Sequence, residues 1–124
     1  MRYLIDTNCC IYLFAGTHPA LTRRISDTVE GEIGLSTIVL AEFALGLQTD
    51  GVLPDARLDL LVEQMPVQPF DQSAAEAYAR LPFRRGRFDR LLAAHALSRG
   101  LTLITNNPRD FDDIPGLTVE NWTL

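Results

Sequence analysis

The chain has 124 residues and a mass of 13.8 kDa, with 47% apolar and 22% charged residues, a balance that fits one globular domain spanning 1–124 with a single core. Sixteen acids against eleven bases leave a net charge of −5, so no positive field surrounds the molecule and a polybasic or histone-like binder is excluded. All eleven bases are arginine, and without lysine the chain can build no P-loop, no kinase phosphate-pairing site and no Schiff base.

Arg2 to Ile5 reads as a short apolar strand ending at Asp6-Thr7-Asn8, three residue types that cap helices. A helix to about Ala15 follows, stopped by Gly16. It holds the two adjacent cysteines, Cys9 and Cys10, whose side chains diverge by about 100° and cannot form an ordinary disulfide, so packing thiols are expected. Pro19 opens a second helix through Val29, with Leu21, Ile25 and Val29 on one stripe. Ile33 to Leu35 reads as a strand, and Ser36-Thr37 caps a helix from Ile38 to Gln48. An amphipathic helix runs from Arg57 to Gln64, and Val67 to Phe70 is a short strand weakened by Pro69. Ser73-x-x-Glu76 has the form of a capping box opening a helix to Leu81. Arg87 to Arg99 is helical with Gly100 as its stop, Leu101 to Ile104 is a buried strand ending at Thr105-Asn106-Asn107, and Leu117 to Glu120 makes the last strand. Alternating strands and helices without repeat or linker predict an α/β sandwich around a mainly parallel sheet. No secretory apolar region precedes Asp6 and no run approaches the roughly 20 residues of a membrane span, which makes a cytoplasmic protein the expectation.

In an open parallel sheet, ligands bind at the carboxyl ends of the strands, which singles out Asp6-Thr7-Asn8 and Thr105-Asn106-Asn107. Asp6 reads equally as a helix N-cap, and Asn106-Asn107-Pro108 as a turn. Glu42 is the only ionisable residue from Thr37 to Leu47; a helix so apolar should be largely buried, and a carboxylate there needs a partner or a cation. Asp89 opens the apolar stretch Phe88 to Leu97, where it also suits the helix dipole. The fourth acid is Asp110, Asp112 or Asp113, of which Asp110 lies nearest the end of its strand. Two like charges about 4 Å apart repel by about 4 kcal/mol at an effective dielectric of 20, so four acids drawn together call for a divalent cation with hard oxygen ligands, Mg²⁺ or Mn²⁺. Zinc is disfavoured, because only His18 and His95 exist and each reads better as a surface or core residue. Between Arg80 and Arg90 five arginines face one acid, giving a local charge of +4 beside Asp89, while the rest of the chain carries −9. That basic edge suits a phosphodiester backbone, a solvated loop or an antagonist-binding surface.

Together, Tyr-Leu-Ile-Asp6-Thr-Asn, Ser-Thr-Ile-Val-Leu-Ala-Glu42-Phe-Ala-Leu-Gly, Phe-Asp89-Arg-Leu-Leu-Ala-Ala-His-Ala-Leu, Leu-Ile-Thr-Asn-Asn-Pro-Arg-Asp110-Phe and the closing Pro-Gly-Leu-Thr-Val-Glu-Asn-Trp122 resemble a PIN domain of the VapC toxin type. The resemblance spans essentially the whole chain. It implies a PIN-like three-layer sandwich and a Mg²⁺- or Mn²⁺-dependent endoribonuclease of a toxin-antitoxin pair, partnered by a VapB-like antitoxin and forming a homodimer. By the same resemblance Asp6, Glu42, Asp89 and Asp110 are the catalytic acids, Asp6 and Asp89 being the main metal ligands. Thr7, Asn8, Thr105 and Asn107 would orient them, and Arg84, Arg85 and Arg87 would contact RNA. One departure from the family pattern is the short stretch Pro82 to Phe88, which bears on RNA choice more than on chemistry. Two other readings compete: a PIN-like scaffold that holds RNA or a partner without cleaving it, and an aspartate phosphotransfer protein with Asp6 as acceptor. The second lacks the lysine such proteins rely on.

Overall fold

A computed structural model of the chain describes residues 1–49, 56–82 and 88–124. In chain order the elements are β1 (Tyr3–Ile5), α1 (Thr7–Ala15), α2 (Pro19–Asp27), β2 (Ile33–Ser36), α3 (Thr37–Thr49), α4 (Ala56–Gln64), β3 (Val67–Gln68), α5 (Gln72–Ala79), α6 (Phe88–Arg99), β4 (Thr102–Ile104), a 3-10 turn (Pro108–Phe111) and β5 (Val119–Glu120). The strands form one five-stranded sheet in the order β3-β2-β1-β4-β5. Every pairing is parallel, with Tyr3 opposite Ile33 and Thr102, Leu35 opposite Val67, and Leu103 opposite Val119.

All residues of β1 and β2 are buried, so both faces of these strands are covered, as a parallel sheet requires. Leu4, Ile5, Leu35, Leu103 and Ile104 lie fully buried at its centre, and Trp122 closes the core edge-on against Tyr3 with ring centroids 4.9 Å apart. The Trp122 indole N–H donates to Glu120 Oε1 at 2.9 Å, and Arg24 of α2 stacks over the same ring at 4.6 Å. Cys9 and Cys10 are free, buried thiols, as the helix geometry predicts. No helix among the described residues is long and apolar enough to cross a membrane.

Local chemistry explains the helix ends. Gly16 stops α1 in the left-handed region at φ 68° and donates to the Tyr12 carbonyl. Gly100 (φ 65°) ends α6, after which the Leu101 N–H reaches back to the Ala96 carbonyl. Three expectations are corrected. The second helix ends at Asp27 rather than Val29, because Thr28 turns extended and donates its hydroxyl to the Arg24 carbonyl; Val29 is left 75% exposed. Ser73 and Glu76 form no capping box: Asp71 caps α5 by accepting from the Ala74 N–H at 3.0 Å, so the helix starts at Gln72. Helix α3 is not largely buried, since Leu45 is 65% exposed and Ala41 and Gly46 also face solvent.

Candidate functional site

The switch in strand order between β1 and β4 brings two polar strand ends side by side. Asp6 follows β1 and donates its backbone N–H to the Ile104 carbonyl of β4, while Thr105 follows β4 and donates to the Glu120 carbonyl of β5. Around these ends lies a cavity of about 160 Å³, lined by Asp6, Thr7, Asn8, Glu42, Asp89, Thr105, Asn106, Asn107 and Asp110, with Leu92 and Phe111 as its apolar floor. Four carboxylates from four separate segments therefore face one space. A larger groove of about 510 Å³ between the α2–β2 connection and the end of α4 lies away from these strand ends.

Each acid has an identifiable local reason for its position. Asp6 is both things its sequence context allows: it caps α1 through an Oδ1 that accepts from the Cys9 N–H at 2.8 Å, and it lines the cavity. A carboxylate offers two oxygens and about four lone-pair sites, so one backbone donor does not saturate it. Glu42 projects from the middle of α3, where the Thr7 hydroxyl donates to its Oε1 at 2.9 Å. Asp89 stands in the first turn of α6 and Asp110 in the 3-10 turn, held by the Asn107 side-chain amide at 2.9 Å. Thr105 acts one step back, its hydroxyl accepting from the Asn107 N–H at 3.2 Å, and Asn8 lines the cavity from the first turn of α1. Among the three clustered acids, Asp110 is the one that reaches the cavity; Asp113 pairs with Arg90 and Asp112 is exposed.

Asn106, which the sequence offers both as a strand-end candidate and as part of a turn, lines the cavity and donates to the Tyr12 hydroxyl at 3.3 Å. Neither histidine is at the site: His18 stacks on Tyr12, and His95 is buried with its Nδ1 at 2.9 Å from the Ser36 hydroxyl. The thiols of Cys9 and Cys10 are pushed far up, first by burial and then by the charge of Asp6, which suits packing rather than ligation or nucleophilic attack. Arg84, Arg85 and Arg87 lie outside the described residues.

The donors around the cavity are carboxylate, hydroxyl and amide oxygens, with no imidazole among the described lining residues. That set suits a hard divalent cation, Mg²⁺ or Mn²⁺, and not zinc. Among the described residues no three His, Cys, Asp or Glu side chains converge into a ready cage. Mg²⁺ fits such an open arrangement because it keeps several of its waters and takes only one or two carboxylates directly.

The PIN domain family model matches residues 3–117. The chain is 31% identical to the tRNA(fMet)-specific endonuclease VapC of Shigella flexneri over 133 aligned positions, covering 99% of each. It is 30% identical to Ribonuclease VapC2 of Rickettsia felis, covering 98% of each. Among solved structures, VapBC2 from Rickettsia felis bound to a promoter DNA fragment superposes with a TM-score of 0.81 at 27% identity, over 98% of this chain and 99% of that one. DNA-bound VapBC from Salmonella typhimurium gives 0.81 at 29% identity over 98% of both chains.

Proposed function

We propose, from the premise that the chain belongs to the PIN domain family, that it is a VapC-type toxin ribonuclease whose acidic cavity hydrolyses RNA with the help of Mg²⁺ or Mn²⁺. The observation that carries this reading is the meeting of Asp6, Glu42, Asp89 and Asp110 around one cavity at the carboxyl ends of parallel strands. Asp6 and Asp89 would hold the cation, and Glu42 and Asp110 would complete its shell directly or through water. A bound divalent cation lowers the pKa of a coordinated water, polarises a phosphoryl oxygen and offsets charge on the leaving oxygen. Thr7 and Asn107 supply the orientation: each donates one hydrogen bond to one carboxylate and so fixes where its oxygens point. Asn8 and Thr105 support the same ring of groups. Leu92 and Phe111 are the apolar members of the lining and would lower the local dielectric beside the carboxylates.

Arg84, Arg85 and Arg87 would meet the phosphate backbone, since they sit in the one basic stretch of an acidic chain and adjoin Asp89 in sequence. The similarity to VapBC complexes supports a VapB-like antitoxin as partner. By the same family reading the protein is a cytoplasmic homodimer built on one PIN domain.

The test is cleavage of total cellular RNA by the antitoxin-free protein in Mg²⁺, Mn²⁺ or EDTA, beside Asp6→Asn and Asp89→Asn. Discrete fragments that need the metal and vanish in both variants support the reading. Absence of cleavage under every metal, in wild type and variants alike, replaces it with a scaffold that binds RNA or a partner without cutting.

A further inference from the structure

Two of the four acids, Asp89 and Asp110, stand on segments that no strand pairing joins directly: the first turn of α6 and the 3-10 turn after β4. An ion pair between a buried arginine and a partly exposed aspartate joins these segments. Arg90, whose side chain is 3% exposed, sends Nη1 to Asp113 Oδ1 at 2.9 Å and Nη2 to Asp113 Oδ2 at 3.0 Å, while the same Nη2 donates to the Pro82 carbonyl at 2.8 Å. Arg90 is the residue after Asp89, and Asp113 lies three beyond Asp110. Successive helical side chains diverge by about 100°, so Arg90 leaves α6 on a different face from Asp89. One planar fork thus fastens the start of α6, the chain leaving the 3-10 turn and the end of the α5 connection at Pro82.

Stability alone is a poor account of this arrangement. The Arg90 Nε is buried with no hydrogen-bond partner among the described residues, and taking a guanidinium out of water carries a desolvation cost that a pair with the 27%-exposed Asp113 offsets only in part. What the bidentate fork supplies is geometry, because two parallel N–H···O contacts fix both distance and orientation. We infer that the Arg90–Asp113 pair is a positioning clamp that sets the separation of Asp89 and Asp110, and with it the affinity of the acidic cavity for a divalent cation. The inference rests on the nuclease reading above and adds a determinant outside the cavity lining.

The experiment measures Mn²⁺ binding to the intact chain by electron paramagnetic resonance for wild type, Asp113→Asn, Asp113→Glu and Arg90→Lys. Thermal unfolding and RNA cleavage are followed in parallel. Variants that still unfold cooperatively are expected to bind Mn²⁺ about tenfold or more weakly, the usual effect of losing an outer support of a metal site. Their cleavage should recover as Mn²⁺ is raised, while RNA affinity in EDTA stays at the wild-type level. Asp113→Glu keeps the charge pair in a displaced position and reads the clamp if Asp113→Asn does not fold. Wild-type Mn²⁺ affinity in the folded variants overturns the inference, whatever happens to the melting temperature. A wild-type protein that binds Mn²⁺ without cutting RNA overturns the nuclease reading and leaves the clamp standing; one that binds no Mn²⁺ overturns both.

Discussion

The Thr7 hydroxyl and Glu42 Oε1 lie 2.9 Å apart, 35 positions distant in the chain, and their hydrogen bond ties the first turn of α1 to the middle of α3 beside Asp6. Its worth lies in orientation more than in stability. Removing it with the near-isosteric Thr7→Val should cost only about 1 kcal/mol of folding free energy. RNA cleavage should fall by about 10- to 100-fold, because Glu42 loses the donor that aims it into the cavity. Urea unfolding together with initial cleavage rates checks both numbers. A loss in Thr7→Ser with none in Thr7→Val would show that packing of the methyl group, not the hydroxyl, is what matters.

Asp6 caps α1 and, on the proposed reading, also holds the cation, and two substitutions separate these roles. Asparagine caps helices as well as aspartate does, so Asp6→Asn should keep the Cys9 N–H bond and leave stability unchanged or raised, since one of four crowded charges is removed. Cleavage should nevertheless drop by about a hundredfold or more if Asp6 is the cation ligand proposed above. Asp6→Ala loses the cap as well and should unfold about 1 kcal/mol more easily than Asp6→Asn. Denaturation midpoints of the two variants, set beside their residual activity, are the measurement.

These residues differ in how plainly the sequence displays them. Asp6 and Thr105 stand out because an apolar strand stops abruptly at each, and in a parallel sheet those ends converge. Glu42 stands out as the one charge in an apolar stretch, yet the accompanying expectation of a largely buried helix fails at Leu45. An apolar stripe records which side chains favour burial, not whether the fold provides a surface to cover them. The capping box at Ser73 fails for a local reason: Asp71, two residues earlier, is already extended and takes the Ala74 N–H first. The Arg90–Asp113 pair has no sequence signature at all, because its partners are 23 positions apart on segments whose docking depends on the finished sheet.

Cys9 and Cys10 immediately follow the Asp6-Thr7-Asn8 corner, and their position invites a chemical role that their environment denies. Both are fully buried, and burial together with the adjacent Asp6 carboxylate holds the thiols far above their ordinary range. Iodoacetamide at pH 8 should therefore leave the native protein unmodified and label both residues only after unfolding. Cys10→Ala should keep cleavage within about twofold of wild type while costing on the order of 1 kcal/mol for the small void it leaves. Rapid labelling of the folded protein with parallel loss of activity would contradict this assignment.

His95 gives the fold a pH dependence of defined sign. Its ring is wholly buried between Ser36 at the end of β2, whose hydroxyl meets Nδ1, and Phe70, packed edge-on at 5.6 Å. Nε2 is buried with no hydrogen-bond partner among the described residues, so a proton placed there would find no acceptor. Burial lowers the imidazole below its ordinary 6.5, the Arg99 guanidinium farther along α6 lowers it further, and the Asp71 carboxylate at the start of α5 opposes them only in part. A group whose folded pKa is depressed binds protons more readily when unfolded. Its contribution to stability is thus fully present above about pH 6.5 and is lost as the pH falls toward the folded value, at up to about 1.4 kcal/mol per pH unit. His95→Gln retains a side chain able to meet Ser36 but cannot titrate. Between pH 7.5 and 5.5, urea unfolding should show wild-type stability falling more steeply than that of His95→Gln, so that the difference between them narrows toward acid. Parallel pH profiles for the two proteins would show that His95 takes up its proton as readily in the folded protein as in the unfolded chain, contrary to the orphaned Nε2.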